Sequence, residues 1–166
     1  MPKHKTLFLV RHAKSSWDDP TLDDINRPLN KRGKIDAPEM GRRMAAYKVK
    51  PGHVVSSPAL RARKTAEAIA EELGFKKSDI DINQLMYTWE SDALLDIVKV
   101  LDDAHGSVMM VCHNPAVTEL VNELTGEEIA NVPTCGVAVI RFNAGKWSEI
   151  KKEKGELLSF DYPKKV

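Results

Sequence analysis

The chain alternates short apolar runs with segments of helical periodicity, and this alternation constrains its fold more than any other feature. Most of the apolar runs are β-branched or continuously apolar, which is typical of strands covered on both faces. Five runs have strand length: residues 6–10 (TLFLV), 53–57 (HVVSS), 80–83 (IDIN), 107–112 (SVMMVC) and 137–142 (VAVIRF). The pattern predicts an α/β fold in which a mostly parallel sheet lies between layers of helices.

Two helices between the predicted strands have readable ends. Residues 59–74 (ALRARKTAEAIAEELG) carry an apolar stripe that ends at Gly74, and residues 91–106 (SDALLDIVKVLDDAHG) begin at Ser91, which can cap a helix. The tail, residues 142–160, reads as strand, turn and strand, so we expect an antiparallel hairpin at one edge of the sheet.

Two further helices start beside prolines. The helix of residues 116–126 follows Asn114 and Pro115, which are expected to be its N-cap and first-turn residues. Residues 30–49 have a helical composition, but Pro38 either kinks this helix or delays its start to about Asp36.

Composition narrows the class of protein. With 166 residues, of which 42% are hydrophobic, one domain with an ordinary core is expected. A formal net charge of +1 gives no overall field for nucleic acid or an anionic membrane, so an anion site has to be local. Cys112 and Cys135 lack C-x-x-C spacing and are predicted to be reduced thiols. No run is long enough to span a membrane, and MPKHK does not resemble a signal peptide, so we expect a cytoplasmic protein.

Polar groups follow three of the predicted strands directly. Because ligands of open parallel sheets bind beyond the carboxyl ends of the strands, these groups are expected to meet at one edge. Two helix N-termini at the same edge would add backbone N–H groups and positive dipole ends, which favour a phosphoryl group. Each residue alone could be an ordinary surface residue, but the coincidence favours a site. The groups are Arg11 and His12 after the first run, Ser57 and Arg61 after the second, and His113 and Asn114 after the fourth.

Three separated blocks resemble the histidine phosphatase superfamily. LVRHAKSSW resembles its R-H-G/A signature, with Ala13 where Gly is usual. SSPALRARKTA resembles the second motif and carries over Arg61 and Thr65, and VMMVCHNPAV resembles the late motif and carries over His113. RHAKSSW, NRPLNKRG and CHNP look most like the SixA-type phosphohistidine phosphatases.

The resemblance implies a phosphoglycerate mutase-like fold: a three-layer α/β/α sandwich whose mostly parallel sheet includes an antiparallel strand. It implies that His12 is a nucleophile that forms a phosphohistidine intermediate. Arg11 and Arg61 would clamp the phosphoryl oxygens and His113 would donate a further hydrogen bond, without a metal ion or other cofactor.

Other residues are weaker candidates for contact with the substrate: Ser16 and Arg27 in the loop after the first strand, Asn114, and Glu90. Larger relatives use a carboxylate to protonate the leaving oxygen, and Glu90 or Asp92 is the nearest candidate here. A missing acid would favour a phosphoramidate over an ester. The predicted substrate is therefore phosphohistidine on a signalling or carrier protein. The alternatives are a small-molecule phosphomonoesterase, a phosphoglycerate mutase-like phosphotransferase, and a non-catalytic phosphate-binding module.

Overall fold

The structure, a computed structural model, describes residues 4–165. Strands and helices alternate through most of the chain, as the apolar pattern predicts. Short 3-10 turns occur in the connections, at Asp24–Asn26, Lys77–Asp79, Gln84–Met86 and Trp147–Glu149. In chain order the elements are β1 (Lys5–Arg11), α1 (Lys31–Ala45), β2 (His53–Ser56), α2 (Leu60–Glu72), β3 (Ile80–Ile82), α3 (Ser91–Lys99), β4 (Ser107–Cys112), α4 (Ala116–Thr125), β5 (Val137–Phe142) and β6 (Glu156–Asp161).

The strands form one mixed sheet in the order β3-β2-β4-β1-β5-β6. The pairs β1–β4, β2–β4 and β2–β3 are parallel, whereas β5 runs antiparallel to both β1 and β6. The predicted antiparallel strand is therefore β5, and the β5–β6 pair is the hairpin expected at one edge. In the parallel part, Arg11 lies opposite Cys112, and Ser56 lies opposite Val111, so the carboxyl ends of β1, β2 and β4 are level.

Two hydrophobic cores lie on opposite faces of the sheet. Along β1, Leu7 and Leu9 enter the core shared with α3 and α4, whereas Phe8 and Val10 enter the core shared with α1 and α2. This alternation follows from the two-residue side-chain period of a strand. It confirms the three-layer α/β/α arrangement, and it explains why the central strands are apolar at nearly every position. Within residues 4–165, no helix is long and apolar enough to cross a membrane.

Helix α1 begins earlier than a start near Asp36 would place it. It runs from Lys31 through Pro38, because Asn30 caps its first turn with a side-chain oxygen that accepts a hydrogen bond from the Gly33 N–H at 2.8 Å. Of the two alternatives predicted for Pro38, the delayed start is therefore wrong, since the proline lies inside the helix.

Two predicted caps also differ in position. Glu90 holds the N-cap position of α3, and Ser91 is the first helical residue; its hydroxyl donates to Glu123 at 2.8 Å across to α4. At α4 the N-cap position is Pro115, but the Asn114 side-chain oxygen still accepts from the Thr118 N–H at 3.1 Å. The capping preferences of Ser and Asn therefore locate the helix starts to within one residue, but they do not predict that Ser91 bonds to Glu123 of another helix.

Candidate active site

The level strand ends bring the residues after β1, β2 and β4 together. The backbone N–H of His12 donates to the Cys112 carbonyl at 3.1 Å, and that of Ser57 donates to the Val111 carbonyl at 3.0 Å. These bonds continue the parallel ladders one residue past each strand. As a result the rings of His12 and His113 lie with their centroids 5.2 Å apart.

These side chains border a cavity of about 320 Å³, which we call the strand-end cavity. Its wall is dominated by cationic and aromatic groups, and it contains all four residues predicted to act on a phosphoryl group. The lining residues are Arg11, His12, Lys14, Ser15, Trp17, Arg27, Arg61, Trp89, His113, Asn114 and Thr134. Such an arrangement suits a small anion.

His12 is held in one orientation and one tautomer. Its Nδ1 lies 2.7 Å from the carbonyl oxygen of Ala13, which can only accept, so Nδ1 carries the hydrogen and Nε2 keeps its lone pair. Burial, opposed by the Ala13 bond and reinforced by nearby arginines, lowers the pKa of His12 to about 4. At neutral pH the ring is therefore an uncharged base with a free nitrogen.

His113 is also buried and uncharged. Burial, with a further contribution from the His12 and arginine charges, lowers its pKa to about 3. Its Nε2 lies 2.7 Å from the Ser57 hydroxyl, while its buried Nδ1 has no hydrogen-bond partner within the described part of the chain. The edges of Tyr87 and Trp89 pack against the imidazole, with centroids at 5.5 and 5.1 Å.

Two arginines approach the histidines from different elements. Arg11 donates from Nη1 to the Val132 carbonyl at 3.0 Å, and its buried Nε finds no partner among residues 4–165. Arg61, in the first turn of α2, is 3% exposed and directs both terminal nitrogens at Asp24. Nη1 donates to the Asp24 carbonyl at 2.7 Å and Nη2 to its carboxylate at 2.9 Å.

Asp24 is the principal residue of the site that the sequence analysis missed. Its carboxylate also accepts from Arg27 Nη1 at 3.1 Å and from the Tyr87 hydroxyl. Although partial burial opposes ionisation, these bonds and the charge of Arg61 lower the pKa of Asp24 to about 2. The carboxylate is therefore ionised at neutral pH and is occupied in holding the two arginines.

Two contacts join the motif after β1 to distant segments. Thr65 Oγ1 accepts from the Ala13 N–H at 2.9 Å and donates to the Arg61 carbonyl at 2.7 Å, so it fixes His12 and Arg61 relative to each other. Gly33 lies against the Lys14 carbonyl so closely that any Cβ there would collide with it. This close approach explains a glycine in the first turn of α1.

Of the two loop residues predicted to contact the substrate, Arg27 lines the strand-end cavity and Ser16 does not. Arg27 lines the cavity, donates to the Ser15 hydroxyl at 2.5 Å and the Ser16 carbonyl at 3.1 Å, and stacks on Trp17 with its guanidinium carbon 3.2 Å from the ring centroid. The neighbouring Ser15 lines the cavity, whereas the Ser16 hydroxyl accepts from the Asp18 N–H within the loop. Adjacent side chains of extended backbone point to opposite sides, which accounts for the difference.

Asn114 and Glu90 are placed differently. Asn114 lines the cavity, but its amide nitrogen already donates to Asn131 and Val132 at 3.0 and 3.1 Å. Glu90 is exposed at the N-cap of α3 and is not among the lining residues, whereas the preceding Trp89 is. Asp92 lies 3.5 Å from Lys152 on the surface. Neither carboxylate reaches the two histidines.

The structure also adds Trp17, Trp89, Lys14 and Thr134 to the wall of the cavity. Trp17 stands in the same short stretch as His12, which is a signal that the sequence analysis could have used; Thr134 offers no comparable signal. The thiols of Cys112 and Cys135 are free and buried, and burial raises the pKa of each to about 12. In the described residues no group of three or more His, Cys, Asp or Glu side chains is arranged to hold a metal ion.

Comparison with known proteins agrees with this geometry. Residues 7–85 match the family model of the histidine phosphatase superfamily, branch 1. The phosphohistidine phosphatase SixA of Escherichia coli is 27% identical over 136 residues, covering 81% of this chain and 83% of SixA. The mitochondrial serine/threonine-protein phosphatase PGAM5 of Xenopus tropicalis is 35% identical over 86 residues, covering 48% of this chain and 30% of PGAM5.

A solved structure from Agrobacterium tumefaciens, described as a phosphohistidine phosphatase SixA, superimposes with a TM-score of 0.82 at 27% identity, covering 96% of this chain and 98% of that one. The likeness thus extends over nearly the whole chain and includes the phosphoglycerate mutase-like sheet. The matched segment, the related sequences and the shared fold agree, and together they support a SixA-like phosphatase of the histidine phosphatase superfamily.

Proposed function

We propose that this phosphatase hydrolyses phosphohistidine on a protein, and that His12 is its nucleophile. The observation that carries the proposal is the state of His12: it is neutral, buried and fixed through Nδ1, so Nε2 can attack phosphorus. A neutral imidazole attacks well and later leaves, which divides one slow hydrolysis into two phosphoryl transfers.

The donors around His12 match the needs of a phosphoryl group in transfer. Arg11 Nε and His113 Nδ1 are buried polar atoms that lack a partner within residues 4–165, and unpaired buried groups are costly. A phosphoryl oxygen would satisfy them. Ser57 Oγ accepts from the Ala59 N–H at 3.2 Å and lies 2.7 Å from His113 Nε2; in the tautomer in which the hydroxyl donates to Nε2, Nδ1 carries a hydrogen for donation. Catalysis of this kind depends mainly on placement and electrostatic stabilisation.

The proposed reaction consists of two successive phosphoryl transfers. In the first, His12 Nε2 forms a bond to phosphorus while the bond from phosphorus to the substrate imidazole nitrogen breaks, and that imidazole takes a proton from solvent. In the second, water attacks phosphorus, the bond to His12 breaks, and orthophosphate is released with the water proton passing to solvent. Arg11 and Arg61 hold the equatorial oxygens in both steps.

Among residues 4–165, no Asp or Glu lines the strand-end cavity, and the lack of a carboxylic acid there favours a phosphoramidate substrate. Asp24 is ionised because its pKa is about 2, and it is bonded to Arg61 and Arg27, so it cannot supply a proton at neutral pH. An alkoxide leaving group benefits strongly from a proton donor, whereas imidazole leaves readily after protonation by solvent.

A small phosphomonoester is the second candidate substrate. A second cavity of about 570 Å³, called the side cavity below, shares Lys14 and Thr134 with the strand-end cavity and could hold the rest of such a molecule. A phosphoglycerate mutase-like transferase is less favoured, since it would need the proton donor that Asp24 does not provide. A non-catalytic binding module is disfavoured by the poised Nε2 of His12.

The test compares a phosphohistidine peptide with an aryl phosphate, both in excess chelator. We expect turnover of both, with a higher kcat/KM for the peptide, and nearly complete loss in His12→Ala but not in His4→Ala, which alters an exposed histidine. Arg11→Ala or Arg61→Ala should each lose about 2–4 kcal/mol of transition-state stabilisation. Turnover in His12→Ala similar to that of the unaltered protein would refute His12 as the nucleophile, and an equal kcat/KM for the aryl phosphate would refute the preference for phosphohistidine.

A further inference from the structure

The side cavity is lined by groups from four separate parts of the chain. Lys14 follows β1, Arg32 and Asp36 lie in the first turns of α1, Thr134 precedes β5, and Tyr162 and Lys164 follow β6. At about 570 Å³ it is larger than the strand-end cavity of about 320 Å³, and its size is in the range of small-ligand sites.

The two cavities adjoin. Lys14 and Thr134 line both of them, so they form the boundary between the cavities. Lys14 follows His12 by two residues, and its backbone is fixed by the hydrogen bond that its carbonyl accepts from the Asn30 N–H at 3.0 Å. A substrate whose phosphoryl group lies at His12 can therefore extend past Lys14 into the side cavity.

The wall of the side cavity carries an excess of positive charge. Its cations are Lys14, Arg32 and Lys164, and its described residues include one carboxylate, Asp36. Asp36 is 5% exposed and its Oδ2 accepts from Arg32 Nε at 3.2 Å, so its charge is already balanced by that arginine. Lys14 and Lys164 remain as the cations that Asp36 does not offset.

The rest of the wall is suited to the uncharged part of a ligand. Pro133 and Pro163 present rigid apolar surface, and Tyr162 adds an aromatic ring that packs 5.4 Å from the ring of Phe160. Apolar walls with a few placed charged groups are typical of sites that bind an organic anion specifically.

We propose that the side cavity is a subsite for a second anionic group of the substrate, a carboxylate or a phosphate, held by Lys14 and Lys164 while the phosphoryl group lies at His12. The inference rests on the proposed phosphatase reaction and adds to it a requirement for a doubly anionic substrate. Such a group can come from an acidic residue beside a phosphohistidine or from a small phosphorylated acid, and both present the same chemistry to the two lysines.

The test uses substrate pairs that differ by one carboxylate. One pair is a phosphohistidine peptide with Glu or Gln beside the phosphorylated residue, and the other is phosphoserine with phosphoethanolamine. We expect the more anionic member of at least one pair to have a KM lower by about tenfold. A preference within the peptide pair assigns the second anion to a protein substrate, and a preference within the other pair assigns it to a small molecule. No preference in either pair would overturn the inference.

Charge reversal at Lys164 locates the effect. Lys164→Glu should abolish the preference, while turnover of phosphoramidate, which fills only the strand-end cavity, changes less than twofold. The matched control is Lys165→Glu, since Lys165 bonds the Phe160 carbonyl and does not line the side cavity. A preference that survives in Lys164→Glu would refute the subsite. Failure of the unaltered protein to hydrolyse phosphoramidate would instead refute the phosphatase reaction itself.

Discussion

The two buried histidines should make the stability of the phosphate-free protein fall steeply in mild acid. The pKa of His12 is about 4 and that of His113 about 3, whereas both have the ordinary value of 6.5 when unfolded. Because the folded state disfavours the charged imidazole, the unfolded chain binds more protons below pH 6.5. Stability is therefore full above pH 6.5 and is lost as the pH falls toward each folded pKa.

The magnitude follows from the size of each shift. One pKa unit corresponds to about 1.4 kcal/mol. Integrated over the titration, the lowered pKa of His12 removes about 2 kcal/mol of stability by pH 5 and about 3 kcal/mol by pH 4. His113 contributes a similar amount over the same range.

Replacement of His12 by Asn isolates the contribution of His12 to the pH dependence of stability. Asparagine keeps a donor for the Ala13 carbonyl but does not titrate, so the shared titration of the carboxylates cancels when the variant and the unaltered protein are compared. Urea unfolding at pH 7, 5 and 4 without phosphate should show His12→Asn gaining about 2 kcal/mol relative to the unaltered protein by pH 5. His4→Asn, at an exposed position, serves as the control. A stability difference that stays constant from pH 7 to 4 would refute the claim that burial keeps His12 neutral.

Three further outcomes follow from single contacts. Gly33→Ala should lower the free energy of unfolding, measured in urea, by about 1–3 kcal/mol, because the added Cβ would overlap the Lys14 carbonyl. An unchanged unfolding midpoint would contradict that close approach. Asp24→Asn removes a negative charge beside Arg61 but keeps an acceptor, so orthophosphate should inhibit several-fold more tightly; weaker inhibition would mean that the charge is needed to position the arginine. The two buried thiols should react with a thiol reagent only on unfolding, and rapid labelling of the folded protein would contradict their burial.

The part of the site that sequence predicts well is the part built on strand ends. The positions of Arg11, His12 and His113 follow from the ends of two apolar runs and from the rule that parallel strands end at one edge. Arg61 follows from the helix that must start after β2, where a cation opposes the helix dipole and so indicates another use. These predictions needed only the order of the strands and helices and the fact that the carboxyl ends of the parallel strands are aligned.

The site residues that the sequence did not predict lie in loops, where neither the helical nor the strand periodicity of apolar residues applies. Asp24 reaches Arg61 across 37 positions because a 3-10 turn folds the loop after β1 back over α2, and the polar loop sequence does not specify that path. Glu90 is a weak candidate that rests only on its position in the sequence, and in the structure the preceding Trp89 lines the strand-end cavity, whereas Glu90, at the N-cap of α3, does not.

This difference between strand ends and loops explains why the reaction of this protein is easier to predict from its sequence than its substrate specificity. The groups proposed to bind the phosphoryl group are positioned by backbone hydrogen bonds that continue the sheet, and by the hydroxyl of Thr65, which joins the Ala13 N–H to the Arg61 carbonyl. The side cavity, by contrast, lies between α1 and the residues after β6, which are more than 100 residues apart in sequence. Arg43, in the last turn of α1, joins these segments by donating to the Tyr162 and Pro163 carbonyls, both at 2.9 Å. The charge of the side cavity depends on which lysine of the tail faces inward, and since adjacent side chains diverge, Lys164 and Lys165 have different surroundings despite identical chemistry. Under the proposed subsite, a one-residue change of register in the tail would therefore alter which substrate is accepted and leave the reaction at His12 unchanged.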